Sequence, residues 1–338
     1  MKPTENIVLA TSTETGSTGI YQLKRLWSKT IAGPDVINFY PDEMQLDSSL
    51  LDMLGIGLLP AYQFLYGQRP DFESFEKWVM AHADGHIEAE TVKRCNALFE
   101  NRNTAQQNSM PDVLTPQDIL FWETNGYVII RNAVTQPDAA AGRKAILDHL
   151  EMDENDAVSW YKENDCMQGI MVPLYRDAAI DKNRNSPKIR KAFEQLWNCS
   201  NLVVTTDKCG FNPPETETFK YRGTGLHWDV SLVTPIPFGT QGVLYLTDTA
   251  ANQGALTVVS GFHKNIENWL HALPENVNAR EADLSGFGTT AIAANAGDFI
   301  IWHHALPHGS SPNRAELPRI VQYINWYAPL QKKQEKWL

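Results

Sequence analysis

Three observations predict a mainly β fold with flanking helices. Beyond residue 200 the chain breaks into short β-branched and aromatic runs separated by loops rich in Gly, Pro and Asn. Such spacing favours a sandwich or a closed double-sheet barrel over a parallel α/β sheet. Between residues 113 and 200, strong helix-start signals recur, each pairing a capping hydroxyl with a nearby proline. The first hundred or so residues carry helical periodicity and read as an N-terminal helical extension, residues 1–112, ahead of a second domain, residues 113–338.

The elements follow in order. Leu50, Leu51, Leu54 and Leu58 mark an apolar segment that Pro60 is expected to close. Asp71 caps a helix whose Phe72, Phe75, Trp78, Val79 and His82 share one face, and Gly85 stops it. A further helix runs from Ile87 to about Glu100. Asn101 to Asp112 is polar and reads as a linker. Thr115, Pro116 and Asp118 start a helix that Asn125-Gly126 ends, and Tyr127–Ile130 is a strand. Thr135, Pro137 and Asp138 open a helix through Leu150, and Ser186-Pro187 one through Trp197. Strands are expected over Leu202–Thr206, Gly225–Ser231, Gly242–Thr247, Ala255–Val259, Asp298–Trp302 and Arg319–Trp326.

Composition excludes several classes. With 43% hydrophobic and 20% charged residues in 338, the chain has the apolar surface to fold. Forty acidic against twenty-nine basic side chains give −11, a field that repels nucleic acid and anionic membranes. No basic run exceeds Lys332-Lys333. Cys95, Cys166, Cys199 and Cys209 are widely separated, without a CxxC pair, and are expected to be reduced and mostly buried. No signal segment or long apolar run is present and Lys336-Trp337-Leu338 is not a peroxisomal signal, so a cytoplasmic location is expected.

The chemistry concentrates at Gly225–Ser231. In an extended segment His227 and Asp229 leave one face and Trp228 the other. One imidazole and one carboxylate then converge, and a second histidine would complete the facial set that suits Fe(II). His303, His304 and His308 are the candidates. Arg319 follows His308 by eleven residues at the start of an alternating strand. A hairpin would return its guanidinium towards the metal, where a 2-oxo acid could chelate at one end and meet Arg319 with the other. That interval selects His308. His82 and His86 end a helix at Gly85, and His263 follows a glycine turn; both read as structure. Trp228 either packs behind the sheet or lines the pocket. Tyr245, Lys220 and Arg222 are candidate substrate or cosubstrate contacts that could equally pack or face solvent.

Four separated motifs, in order, resemble the phytanoyl-CoA dioxygenase family of Fe(II)/2-oxoglutarate oxygenases. They are Thr115–Ile130, Asn252–His263, Ala296-Gly-Asp-Phe299, and His308-Gly-Ser-Ser-Pro-Asn313 followed by Pro318-Arg319. The resemblance spans about Thr115 to Pro329. It implies a double-stranded β-helix core of jelly-roll, cupin-like form. It implies Fe(II) on His227, Asp229 and His308, 2-oxoglutarate as cosubstrate with its far carboxylate on Arg319 and Ser310, and O2 as oxidant. The implied activity is hydroxylation of an unactivated C–H bond of a small-molecule metabolite, with release of succinate and CO2. Halogenating relatives have Ala or Gly where this chain has Asp229. The chain departs from the family at Trp228 and at Ser260-Gly-Phe-His263, where substrate would enter. The −11 balance favours a smaller, less anionic metabolite over a coenzyme A thioester. A jelly-roll oxygenase without an oxo acid and a non-catalytic barrel binding protein are the competing classes. No nucleic-acid or membrane partner is expected, and the N-terminal helices could form a homodimer interface.

Overall fold

Six helices occupy the first hundred residues of the computed structural model, which describes residues 8–40, 43–83, 85–100, 110–162, 164–329, 334 and 336–338. They are α1 (Leu23–Ala32), α2 (Pro34–Phe39), α3 (Glu43–Met53), α4 (Leu58–Gln68), α5 (Phe72–His82) and α6 (Ala89–Phe99). Chain contacts divide the molecule into one unit of residues 1–107, 199–206 and 327–335 and another of 108–198, 207–326 and 336–338. The expected linker at Asn101–Asp112 falls largely outside the described residues.

In the first unit Ile20, Leu23, Leu26, Leu50, Leu51, Phe75, Val79 and Cys95 form the core. Asp71 caps α5 by accepting from the Ser74 N–H, as its sequence position predicts. Pro60 does not end a helix. It lies in the first turn of α4, where a backbone N–H has no partner within the helix, and the break falls earlier, at Gly57 with φ +76°. Lys29, almost fully buried, is balanced by Glu43 (2.5 Å) and Asp47 (2.7 Å).

The second unit opens with α7 (Pro116–Asn125), held by a reciprocal cap. The Thr115 hydroxyl accepts from the Asp118 N–H, and the Asp118 carboxylate accepts from the Thr115 N–H. Gly126, at φ +77°, ends the helix and leads into β1 (Tyr127–Ile130). Then come α8 (Gln136–His149), β2 (Met171–Val172), α9 (Ala178–Arg184) and α10 (Pro187–Trp197). The short strand β3 (Val203–Val204) belongs to the first unit, and the second resumes with β4 (Cys209–Asn212), β5 (Thr240–Tyr245) and β6 (Leu256–Val258). After α11 (Ile266–Ala272) come β7 (Thr290–Ala291), β8 (Phe299–His303), β9 (His308–Ser310), β10 (Arg319–Tyr323) and β11 (Trp326–Tyr327).

Six strands form an antiparallel sheet in the order β1-β8-β5-β10-β4-β2, and three form a second in the order β7-β6-β9. One apolar core is shared between them. Val243, Tyr245, Ile300, Trp302 and Val321 enter it from the larger sheet, and Leu256 and Val258 from the smaller. Residues directly opposite in an antiparallel pair point the same way. The register Arg319↔Asn212, Val321↔Tyr245 and Gln241↔Trp302 therefore places these side chains on the core face.

Three expectations are corrected. Gly225–Ser231 is not a strand: its one ladder contact is the backbone exchange of His227 with His308 (2.9 and 3.0 Å), and side chains bond the carbonyls of Gly225, Trp228 and Val230. Arg319 does not return in a hairpin from His308, because β9 and β10 belong to different sheets. Of the cysteines only Cys95 and Cys209 are buried, while Cys166 is exposed.

Candidate metal centre

Although Gly225–Ser231 lacks a ladder, it keeps the alternation of an extended chain. His227 and Asp229 come together on one side, with His227 Nε2 3.6 Å from Asp229 Oδ1. Trp228 turns away into the core, packing on Phe262 and Trp269, and its indole N–H donates to the Ala305 carbonyl (3.0 Å). The exchange between His227 and His308 brings the second imidazole in, with His308 Nε2 3.2 Å from Asp229 Oδ2. Among the described residues these three alone form a metal-competent group, their donor atoms lying within 4.8 Å of one another. Close backbone approach requires glycine at 309, because a Cβ there would sit 2.6 Å from the Gly225 carbonyl oxygen.

Each imidazole is oriented by its own chain. His227 Nδ1 lies 2.8 Å from the Gly225 carbonyl oxygen and His308 Nδ1 3.0 Å from that of Leu306. A carbonyl only accepts, so Nδ1 carries the proton, and in the neutral ring Nε2 presents a lone pair. In that form two lone pairs and a carboxylate converge on one point, a donor set that a cation would share; with a proton on Nε2 instead, His308 donates to Asp229. Burial alone would raise the Asp229 carboxyl, but the hydrogen bond and charge of His308, with the Gln241 amide, hold it well below the usual carboxylate range. The His308 side chain is 5% exposed and that of Asp229 52%, so the centre opens towards solvent on the carboxylate side.

Gln241 joins the centre without any motif in the sequence to mark it. Its Nε2 donates to Asp229 Oδ2 (2.7 Å), and its Oε1 accepts from the Trp302 indole (3.1 Å). The indole is a donor only, so the amide can face the carboxylate only with its NH2. The signal was a polar residue on the core face of a central strand, two and four places before Val243 and Tyr245 in the inward alternation.

Arg319 is 1% exposed. Its Nη1 donates to Ser310 Oγ (2.9 Å), its Nε is buried without a hydrogen-bond partner, and its guanidinium lies 5.7 Å from the Tyr245 ring centre. A buried guanidinium with an unused donor fits an incoming carboxylate. Tyr245, which could contact substrate or cosubstrate or pack, has its ring against the Arg319 guanidinium in the core. Its hydroxyl donates to the Ile292 carbonyl (3.0 Å) and accepts from the Leu256 N–H (2.9 Å), which leaves no lone donor for substrate. Tyr221 donates to the Ser310 carbonyl (2.9 Å), and burial pushes its phenol up to about 12. Lys220 is exposed on the loop ahead of the centre.

The competing histidines are occupied elsewhere. His304 Nε2 lies 2.5 Å from the Pro237 carbonyl oxygen. His303 Nδ1 accepts from the Ala305 N–H (3.0 Å); burial, with His304 and His263 alongside, pushes its pKa down to about 3. His82 Nδ1 lies 2.9 Å from the Trp78 carbonyl oxygen, and His86 is exposed.

Two imidazoles and a carboxylate with open positions, beside a buried arginine, are the equipment of non-haem iron oxygenases that use a 2-oxo acid. The model of the phytanoyl-CoA dioxygenase family matches residues 122–321, and the chain belongs to that family. It is a 2-oxoglutarate-dependent oxygenase whose cofactors are Fe(II), 2-oxoglutarate and O2. A Dictyostelium discoideum protein named "Putative phytanoyl-CoA dioxygenase" is 24% identical over 255 residues, covering 60% of this chain and 73% of its own. Among solved structures, the chain is similar to EctD from S. alaskensis (15% identity, 66% of this chain, 79% of that one, TM-score 0.47). It is also similar to SnoK, a non-haem alpha-ketoglutarate-dependent carbocyclase from nogalamycin biosynthesis (17% identity, 63% and 83%, TM-score 0.42). No helix among the described residues is long and apolar enough to cross a membrane.

Proposed function

We propose that the chain hydroxylates an unactivated C–H bond of a small-molecule metabolite, with His227, Asp229 and His308 holding Fe(II) and Arg319 and Ser310 holding the far carboxylate of 2-oxoglutarate. The observation that carries this reading is the buried, incompletely bonded Arg319 on the same core as the convergent His227, Asp229 and His308. Bound Fe(II) supplies the redox chemistry that couples oxidation of 2-oxoglutarate to succinate and CO2 with insertion of one oxygen atom into the substrate. The four electrons taken by O2 are then two from the oxo acid and two from the C–H bond.

The chain's own residues orient and exclude. The carbonyls of Gly225 and Leu306 keep both Nε2 atoms available, and Gln241 holds the Asp229 carboxylate in place through the oxygen that lies beside His308. Ser310 and the Tyr245 ring fix the Arg319 fork, which then meets a carboxylate without reorganising. A jelly-roll core over residues 113–338, with residues 1–112 as a helical extension, is part of the same proposal.

Incubation with Fe(II), 2-oxoglutarate and a metabolite library, followed by mass spectrometry, tests it. Succinate formed one-for-one with a product heavier by one oxygen atom is expected. A product that loses two hydrogens or keeps its mass would refute hydroxylation, and turnover without 2-oxoglutarate consumption would refute the role of Arg319. Anaerobic addition of Fe(II) and 2-oxoglutarate should give a weak visible charge-transfer band that His308→Ala abolishes.

A further inference from the structure

The loop that carries two of the three donors has a single ladder contact, at His227, yet Asp229 must be held in place beyond it. We propose that Arg280 is the positioning residue for Asp229, clamping the loop to residues 336–338, which act as a strap across it; this rests on the metal-site reading above.

Arg280 lies in a single 3-10 turn, Ala279–Glu281, far from the centre in sequence. Its Nη1 donates to the Trp228 carbonyl (2.8 Å) and its Nη2 to the Val230 carbonyl (2.7 Å), the two on either side of Asp229. Its Nε donates to the Leu338 carbonyl (2.8 Å), and its guanidinium stacks on the Trp337 ring at 4.7 Å. Further hydrogen bonds fasten the strap beside those of Arg280. The Ser231 hydroxyl donates to the Lys336 carbonyl (2.6 Å) and accepts from the Leu338 N–H (3.3 Å), and the Leu232 N–H donates to the Leu338 carbonyl (3.4 Å).

Fixing the carbonyls before and after Asp229 brackets its backbone, and so fixes the direction in which its side chain leaves the loop. The planar fork is what permits this. A guanidinium spans two carbonyls two residues apart while its third edge reaches Leu338; a lysine ammonium is a single point that cannot reproduce the spacing. In a β-strand this work would fall to neighbouring backbone, so Arg280 and the strap take the place of the missing strand partner. The same contacts satisfy the Trp228 and Val230 carbonyls, which the absence of a ladder would leave open.

The test uses the full-length protein without 2-oxoglutarate or O2, titrated with Mn(II) and followed by the EPR signal of the free ion. Arg280→Lys keeps the charge and removes the fork; about a 10–100-fold weaker Mn(II) affinity is expected, the range for loss of a group that orients a ligand. Hydrogen exchange at the Leu232 amide should quicken in the same variant. Ser231→Ala removes two hydrogen bonds to the strap while keeping Arg280, and should weaken Mn(II) binding in the same direction by about a few-fold, less than loss of the fork because both bonds act on Asp229 only through the strap. It decides the question if Arg280→Lys does not fold. Mn(II) affinity within about twofold of wild type in the folded variant overturns the proposal, because a tenfold loss corresponds to about 1.4 kcal/mol. Failure of the wild-type protein to bind Mn(II) would instead remove the metal-site reading itself.

Discussion

Replacing Arg319 with methionine should stabilise the protein while abolishing cosubstrate binding. Arg319 is 1% exposed, and its Nε has no partner. Taking a guanidinium out of water has a penalty of several kcal/mol. Against it stand one charge-assisted hydrogen bond to Ser310, about 1.5–3 kcal/mol, and the contact with the Tyr245 ring, about 1–2 kcal/mol. The balance is close to even before the packing of an apolar replacement is added. Exchange of buried ionic groups for apolar ones of similar volume is commonly stabilising by about 1–4 kcal/mol, so Arg319→Met should melt several degrees above wild type without ligand. Differential scanning calorimetry, with and without 2-oxoglutarate, reads both effects. Ligand at about one hundred times its dissociation constant should stabilise wild type by about 2.7 kcal/mol and leave the variant unmoved. A variant that melts below wild type, or that 2-oxoglutarate still stabilises, would refute the argument that this guanidinium is held ready for an anion.

Other outcomes follow from the same geometry. Gly309→Ala forces a Cβ to 2.6 Å from the Gly225 oxygen and 3.0 Å from its carbon, backbone atoms that cannot rotate aside, so a loss of about 1–3 kcal/mol in chemical denaturation and weakened metal binding are expected. Gln241→Leu removes the donor to Asp229 and leaves the Trp302 N–H without its acceptor; metal affinity measured by calorimetry should fall about tenfold or more. His303 is held neutral, its pKa pushed from 6.5 to about 3 by burial. Since the unfolded chain takes up that proton below 6.5 and the folded chain does not, its contribution is complete above pH 6.5 and lost as pH falls towards 3. His303→Phe should therefore flatten the acid limb of the stability profile over that window; an unchanged slope in urea titrations at stepped pH would count against it.

Local signals were read well because each is decided within a few residues. Thr115 and Asp118 cap one another and Asp71 caps α5 with no help from the rest of the chain. The convergence of His227 and Asp229 was legible for the same reason: alternation is a property of extended backbone, and it persists where the ladder does not. What escaped was everything set by distant partners. Pro60 carries no mark of whether it begins or ends a helix, and only the break at Gly57 decides. The eleven residues between His308 and Arg319 suggest a hairpin, yet the two strands lie in different sheets and meet through Ser310. Gln241 left only a faint trace, and Arg280 left none, since a half-buried arginine in a single 3-10 turn has no periodicity to betray it.

The two imidazoles share a device whose consequence reaches beyond this centre. Each is aimed by the carbonyl two residues before it, Gly225 for His227 and Leu306 for His308. Those acceptors are main chain, so no change of side chain at 225 or 306 can delete them; only a change in the path of the backbone can. Aiming is thus settled within each tripeptide, and the tertiary structure has only to carry two ready-aimed rings to the same place. An error elsewhere in the molecule would then separate the rings without disorienting them, a failure that a bound ion can reverse by drawing them back together.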